Sequence, residues 1–120
     1  MKTITTLLPA DLETPVGIYL KIRDIYPQSA LLESSDYHTT HNSVSIIGID
    51  PIAHYMVLDE EIEQTWPDGH TTHTKATPDL IISSLRDYVA GFSELAVEGL
   101  ANGLLGYTAY DAMRYFEPTL

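Results

Sequence analysis

Apolar and polar positions follow two rhythms along this chain. Residues 14–26 place apolar side chains at helical spacing. Val16, Tyr19 and Leu20 share one face with Arg23, and Ile18, Ile22 and Ile25 share another. Two apolar faces predict burial on more than one side. Thr14 is placed to N-cap, and Pro15 suits the first helical position because its missing N–H would be unpaired there anyway. Pro27 predicts the stop, since a residue before proline disfavours the α region.

The period then changes to two. Residues 29–35 and 43–50 (SVSIIGID) read as strands, the second rich in β-branched residues, with Gly48 marking a candidate bulge. In residues 52–58, alternation puts Ile52, His54, Met56 and Leu58 on one face. Pro67-Asp68-Gly69 is a turn signal, so residues 60–66 and 70–75 read as the arms of a hairpin. Thr77-Pro78-Asp79 starts a second helix by the same capping logic, with Leu80, Ile81, Leu85, Tyr88 and Val89 as its stripe and Gly91 as its stop. Residues 103–109 (GLLGYTA) read as a buried strand, and residues 110–116 as a short helix. Helix, strands, hairpin, helix and strand in that order predict an α+β fold, mainly an antiparallel sheet with helices packed on it.

Composition narrows the chemistry. The chain has 120 residues, 44% hydrophobic and 19% charged, which fits one globular domain. It has no cysteine, which excludes disulfides, thiol catalysis and cysteine-ligated metals. Seventeen acids against six bases give a formal charge of -11, a field that repels phosphate backbones. Nucleic acid and membrane are therefore not expected partners. No apolar stretch approaches the ~20 residues of a membrane span, and residues 1–10 do not read as a signal peptide, so the expected location is cytoplasmic. Between Arg23 and Lys75 there is no Lys or Arg, while the interval holds nine carboxylates. A solvated acidic face and a surface for a basic partner both remain open for it.

Two identical tetrapeptides, His38-Thr39-Thr40-His41 and His70-Thr71-Thr72-His73, offer four imidazoles to a metal. Neither setting is helical in pattern, and in a strand positions i and i+3 point to opposite faces. Polar turns and hairpin arms are the simpler reading. No G-x-S-x-G, P-loop or G-x-G-x-x-G is present. The glycines of residues 99–106 lead into an apolar segment rather than a helix N-terminus, so they suit packing better than phosphate binding.

Several segments in order carry a resemblance: TPVGIYL (14–20), LLES (31–34), NSVSIIGIDP (42–51) and GLLGYTAYDAMRYFE (103–117). Together they resemble the N-terminal region of anthranilate synthase component I, from residue 11 onward. The sister family, aminodeoxychorismate synthase component I, shares much of the pattern. The resemblance implies a single N-terminal regulatory region over residues 1–120, a partial version of the family's α/β sandwich that stops before the chorismate-binding part. It implies part of a feedback site for L-tryptophan, with Leu31, Leu32, Glu33 and Ser34 at its edge and Val44 at a contact position. A carboxylate such as Glu33 suits the ligand's ammonium group, Ser34 offers a hydroxyl and an amide, and apolar strand residues suit the indole.

Further expectations follow from the same resemblance. The whole enzyme would convert chorismate and ammonia to anthranilate with Mg2+, as a lyase of tryptophan biosynthesis, together with a glutaminase component II. This region would hold no cofactor and no catalytic residue. It would not be catalytic on its own, would bind L-tryptophan weakly in isolation, and would expose apolar surface suited to the chorismate-binding half or to a homo-oligomer. A small histidine-based metal-binding module and an acidic interaction module are the alternatives outside the family.

Overall fold

The computed structural model describes residues 3–33, 44–92 and 104–117. The chain divides into two compact units, one of Thr5–Pro51, the other of Met1–Ile4 with Ile52–Leu120. Both are helix-plus-antiparallel-strand assemblies, so the fold is α+β as the pattern predicts.

In the first unit, α1 (Pro15–Ile22) starts where capping chemistry places it. The Thr14 hydroxyl accepts from the Gly17 N–H at 3.0 Å, and Pro15 opens the first turn. The helix ends before Pro27, at Arg23, and a further turn follows, with the Tyr26 N–H donating to the Ile22 carbonyl at 2.9 Å. Strands β1 (Ser29–Leu32) and β2 (Ile46–Ile49) pair antiparallel from Ser29↔Ile49 to Leu32↔Ile46, and α1 packs against both.

Two expectations are corrected here. Neither apolar face of α1 is fully covered. Ile18 and Ile22 on one face and Tyr19 on the other are half-buried, while Ile25, Val16 and Leu20 stay exposed, because only a two-stranded sheet packs against the helix. Gly48 makes no bulge. It sits directly opposite Ala30 in an unbroken register, so this glycine leaves the ladder regular.

The second unit is a three-stranded antiparallel meander of β3 (His54–Leu58), β4 (Glu61–Thr65) and β5 (Thr71–Lys75), in that order. The β3–β4 connection is a two-residue turn, Asp59-Glu60, with φ of 51° and 63°. Positive φ at both central residues is the type I′ geometry that matches strand twist. The β4–β5 turn uses Gly69 at φ 91°, with the Gly69 N–H donating to the Trp66 carbonyl at 2.8 Å. Helix α2 (Pro78–Ala90) is capped by the Thr77 hydroxyl, which accepts from the Leu80 N–H at 3.3 Å.

The core lies on the inner face of this sheet. Ile62, Ala76 and Ile81 are buried together, with Tyr55, Val57, Leu80 and Tyr115 packed against them. Full burial of an Ile62-sized side chain contributes about 1.5–3 kcal/mol. The covered stripe of α2 runs through Leu80, Ile81, Ser84 and Tyr88, while Leu85 and Val89 at its margin are 37% exposed. Ser84 takes a core-side position because the Tyr55 hydroxyl, 2.9 Å from its Oγ, gives it a polar partner.

The alternation expected of β3 is present, and the face that carries His54, Met56 and Leu58 is the outward one. Tyr55 and Val57 point inward, and His54, Met56 and Leu58 point outward, with Ile52 exposed before the strand. Both faces of β3 carry bulky side chains, and the tyrosine wins the inner side because its hydroxyl reaches the Ile81 carbonyl at 3.1 Å.

The strand expected at residues 103–109 is the last correction. Gly103 lies outside the described residues, and residues 104–109 form no strand. Leu104 and Leu105 are about two-fifths exposed and Tyr107 is 95% exposed. An apolar run becomes a strand only by pairing, and this one has no ladder partner among the described residues. The short helix after it is present as a 3-10 turn (Tyr110–Ala112) running into α3 (Met113–Phe116).

Candidate functional site

The candidate edge sits at the open end of the β1–β2 ladder. Leu31 pairs with Ile47 and Leu32 with Ile46, where the ladder ends. Successive strand residues point to opposite faces, so each face of the pair receives one leucine. Leu31 is half-buried and Leu32 is 45% exposed. Glu33 leaves the strand with its side chain exposed and has no hydrogen-bond or ion-pair partner among the described residues. Val44, 68% exposed, precedes the partner strand by one residue, Ser45. Ser34 lies outside the described residues.

The chain thus brings Leu32, Glu33 and Val44 to one end of a two-stranded ladder as exposed groups, while the half-buried Leu31 belongs to the opposite face from Leu32. A carboxylate beside exposed aliphatic side chains suits a ligand with an ammonium group and an apolar body. The opposite end of the same ladder carries a shallow depression lined by Ile25, Tyr26, Pro27, Gln28, Asp50 and Pro51. None of the candidate residues lines it.

Two histidines, His70 and His73, lie against carboxylates. His70 bonds to the Asp68 carboxylate through both its backbone N–H and its ring. These contacts, the backbone N–H first and the ring second, hold the Asp68 carboxyl below the usual carboxylate range. His73 Nδ1 lies 2.7 Å from Glu61 Oε1 and 3.8 Å from Glu63 Oε2. The sequence places no acid beside this histidine. Strand register brings the two together, pairing Glu63 with His73 and Glu61 with Lys75. Among the described residues, no group of three or more histidine and acidic side chains is arranged to hold a metal ion. His38 and His41 lie outside the described residues.

A second arrangement that sequence reasoning missed is the aromatic cluster behind the β4–β5 turn. Trp66 lies 4.7 Å from Tyr88 and stacks 5.6 Å from His70, ring centroid to centroid. The Tyr88 hydroxyl donates its proton between the carbonyls of Thr65 (2.6 Å) and His54 (3.0 Å), and burial pushes its pKa up from the ordinary value. The spacing of Trp66 after β4 and Tyr88 late in α2 gives no sign of this contact. No helix among the described residues is long and apolar enough to cross a membrane.

Comparison with known proteins relates these residues to a family. The chain is 34% identical over 114 residues to anthranilate synthase component 1 of Pseudomonas aeruginosa, an alignment covering 92% of this chain and 23% of that protein. It is 28% identical over 109 residues to anthranilate synthase component 1 of Synechocystis sp., covering 91% and 22%. It is 29% identical over 116 residues to the probable anthranilate synthase component 1 of Schizosaccharomyces pombe, covering 94% and 20%. The chain therefore spans about a fifth to a quarter of the length of the curated relatives it matches. No family model matches it, and no solved structure does.

Proposed function

We infer the function of this chain from its kinship with anthranilate synthase component 1, to which it is related over more than nine-tenths of its length. In this reading it is the N-terminal region of such a subunit and contributes one edge of an L-tryptophan feedback site. The whole protein forms anthranilate from chorismate and ammonia with Mg2+, and a glutaminase component supplies the ammonia. Glu33 receives the ligand's ammonium group, Ser34 offers its hydroxyl and amide to the carboxylate, Leu31 and Leu32 line this edge from its two faces, and Val44 is a contact position for the indole. Bound tryptophan then favours a state less able to engage chorismate, a coupling between two sites.

The observation that carries this reading is the exposed Glu33 carboxylate beside Leu32 at the end of the β1–β2 ladder, in a chain whose relatives are anthranilate synthases. The relatives named above are all anthranilate synthase component 1, which favours this family over the aminodeoxychorismate synthases.

The test is a chimera in which this chain replaces the matched segment of the Pseudomonas aeruginosa subunit. Anthranilate formation is followed against L-tryptophan concentration. The chimera is expected to be inhibited, and Glu33→Ala to raise the inhibitory concentration by about tenfold or more, with uninhibited turnover kept. Coinciding inhibition curves for the chimera and its Glu33→Ala variant overturn the assignment of Glu33.

A further inference from the structure

We draw no further inference here: the strongest candidate, the outward face of the three-stranded sheet where Met56 and Leu58 stand exposed beside Asp59, Glu61 and Glu63, is an unpartnered apolar face rimmed by acids, and nothing in the structure shows what covers it.

Discussion

The Tyr88 hydroxyl lies 2.6 Å from the Thr65 carbonyl oxygen, which ties the last turns of α2 to the end of β4. The same hydroxyl also reaches the carbonyl of His54, the register partner of Thr65. One phenol proton thus serves both strands of the β3–β4 pair at a point where the tyrosine is only 1% exposed. Tyr88→Phe removes that proton and leaves two carbonyls short of a donor. Urea unfolding is expected to show a loss of about 1–3 kcal/mol, against near-neutrality if water replaces the hydroxyl.

Alkaline pH tests the same group differently. Burial raises the Tyr88 pKa above its ordinary 10.0. Below pH 10 the folded and unfolded forms both keep the proton, so the stabilisation is fully present. As pH rises past 10 the unfolded chain releases the proton first, and stability falls until the folded pKa is passed. The wild-type chain is expected to lose stability over this range more steeply than Tyr88→Phe. Parallel pH profiles for the two proteins would remove Tyr88 as the cause.

The Asp59-Glu60 turn holds two non-glycine residues at positive φ, a conformation that L side chains adopt at a cost. The Ala76 N–H fixes the turn by donating to the Glu60 carbonyl at 2.8 Å. Asn at 59 and Gly at 60 are the residues this turn type prefers. The double change Asp59→Asn, Glu60→Gly is expected to raise the unfolding midpoint by an amount equivalent to about 0.5–1 kcal/mol. A lowered midpoint would show that the acidic side chains stabilise the turn in their own right.

Acid unfolding bears on Asp68. Its carboxyl is held below the ordinary 3.8, mainly by the His70 backbone N–H. A depressed carboxylate contributes stability above pH 3.8, and that contribution fades as pH falls through the folded value. Asp68→Asn is expected to flatten this part of the acid limb, read by circular dichroism. An unchanged limb would place the acid sensitivity elsewhere among the carboxylates.

Isolated, this chain is expected to bind L-tryptophan weakly. Leu32 is 45% exposed and Val44 is 68% exposed, so an indole placed there stays partly in water and gains little from burial. Titration calorimetry at millimolar ligand should show little heat. Binding at micromolar concentration would mean that residues 1–120 build a closed site by themselves.

Parts of this fold were legible because their chemistry is local. Thr14-Pro15 and Thr77-Pro78 cap helices through hydroxyls and N–H groups three residues away, and Gly69 makes its turn from its own backbone freedom. Other parts depend on neighbours distant in sequence. Which face of β3 turns inward was decided by the reach of Tyr55 to Ile81 in α2, 26 residues on. Residues 104–109 carry the apolar run of a strand but have no ladder partner among the described residues. At the candidate site, LLES was singled out only through the resemblance to a family, since its own pattern reads as a strand end. That Leu31 and Leu32 fall on opposite faces follows from the observed ladder.

Trp66 is the chain's one tryptophan, and it sits within ring contact of Tyr88 and His70 in the second unit. Intrinsic emission excited at the indole edge therefore samples the β4–β5 turn and the end of α2. Helix α1 and the β1–β2 ladder contain no indole of their own, so the intrinsic indole signal carries no probe inside Thr5–Pro51. An engineered tryptophan in the first unit, with Trp66→Phe in the second, would move the probe from one unit to the other and give each its own spectroscopic trace.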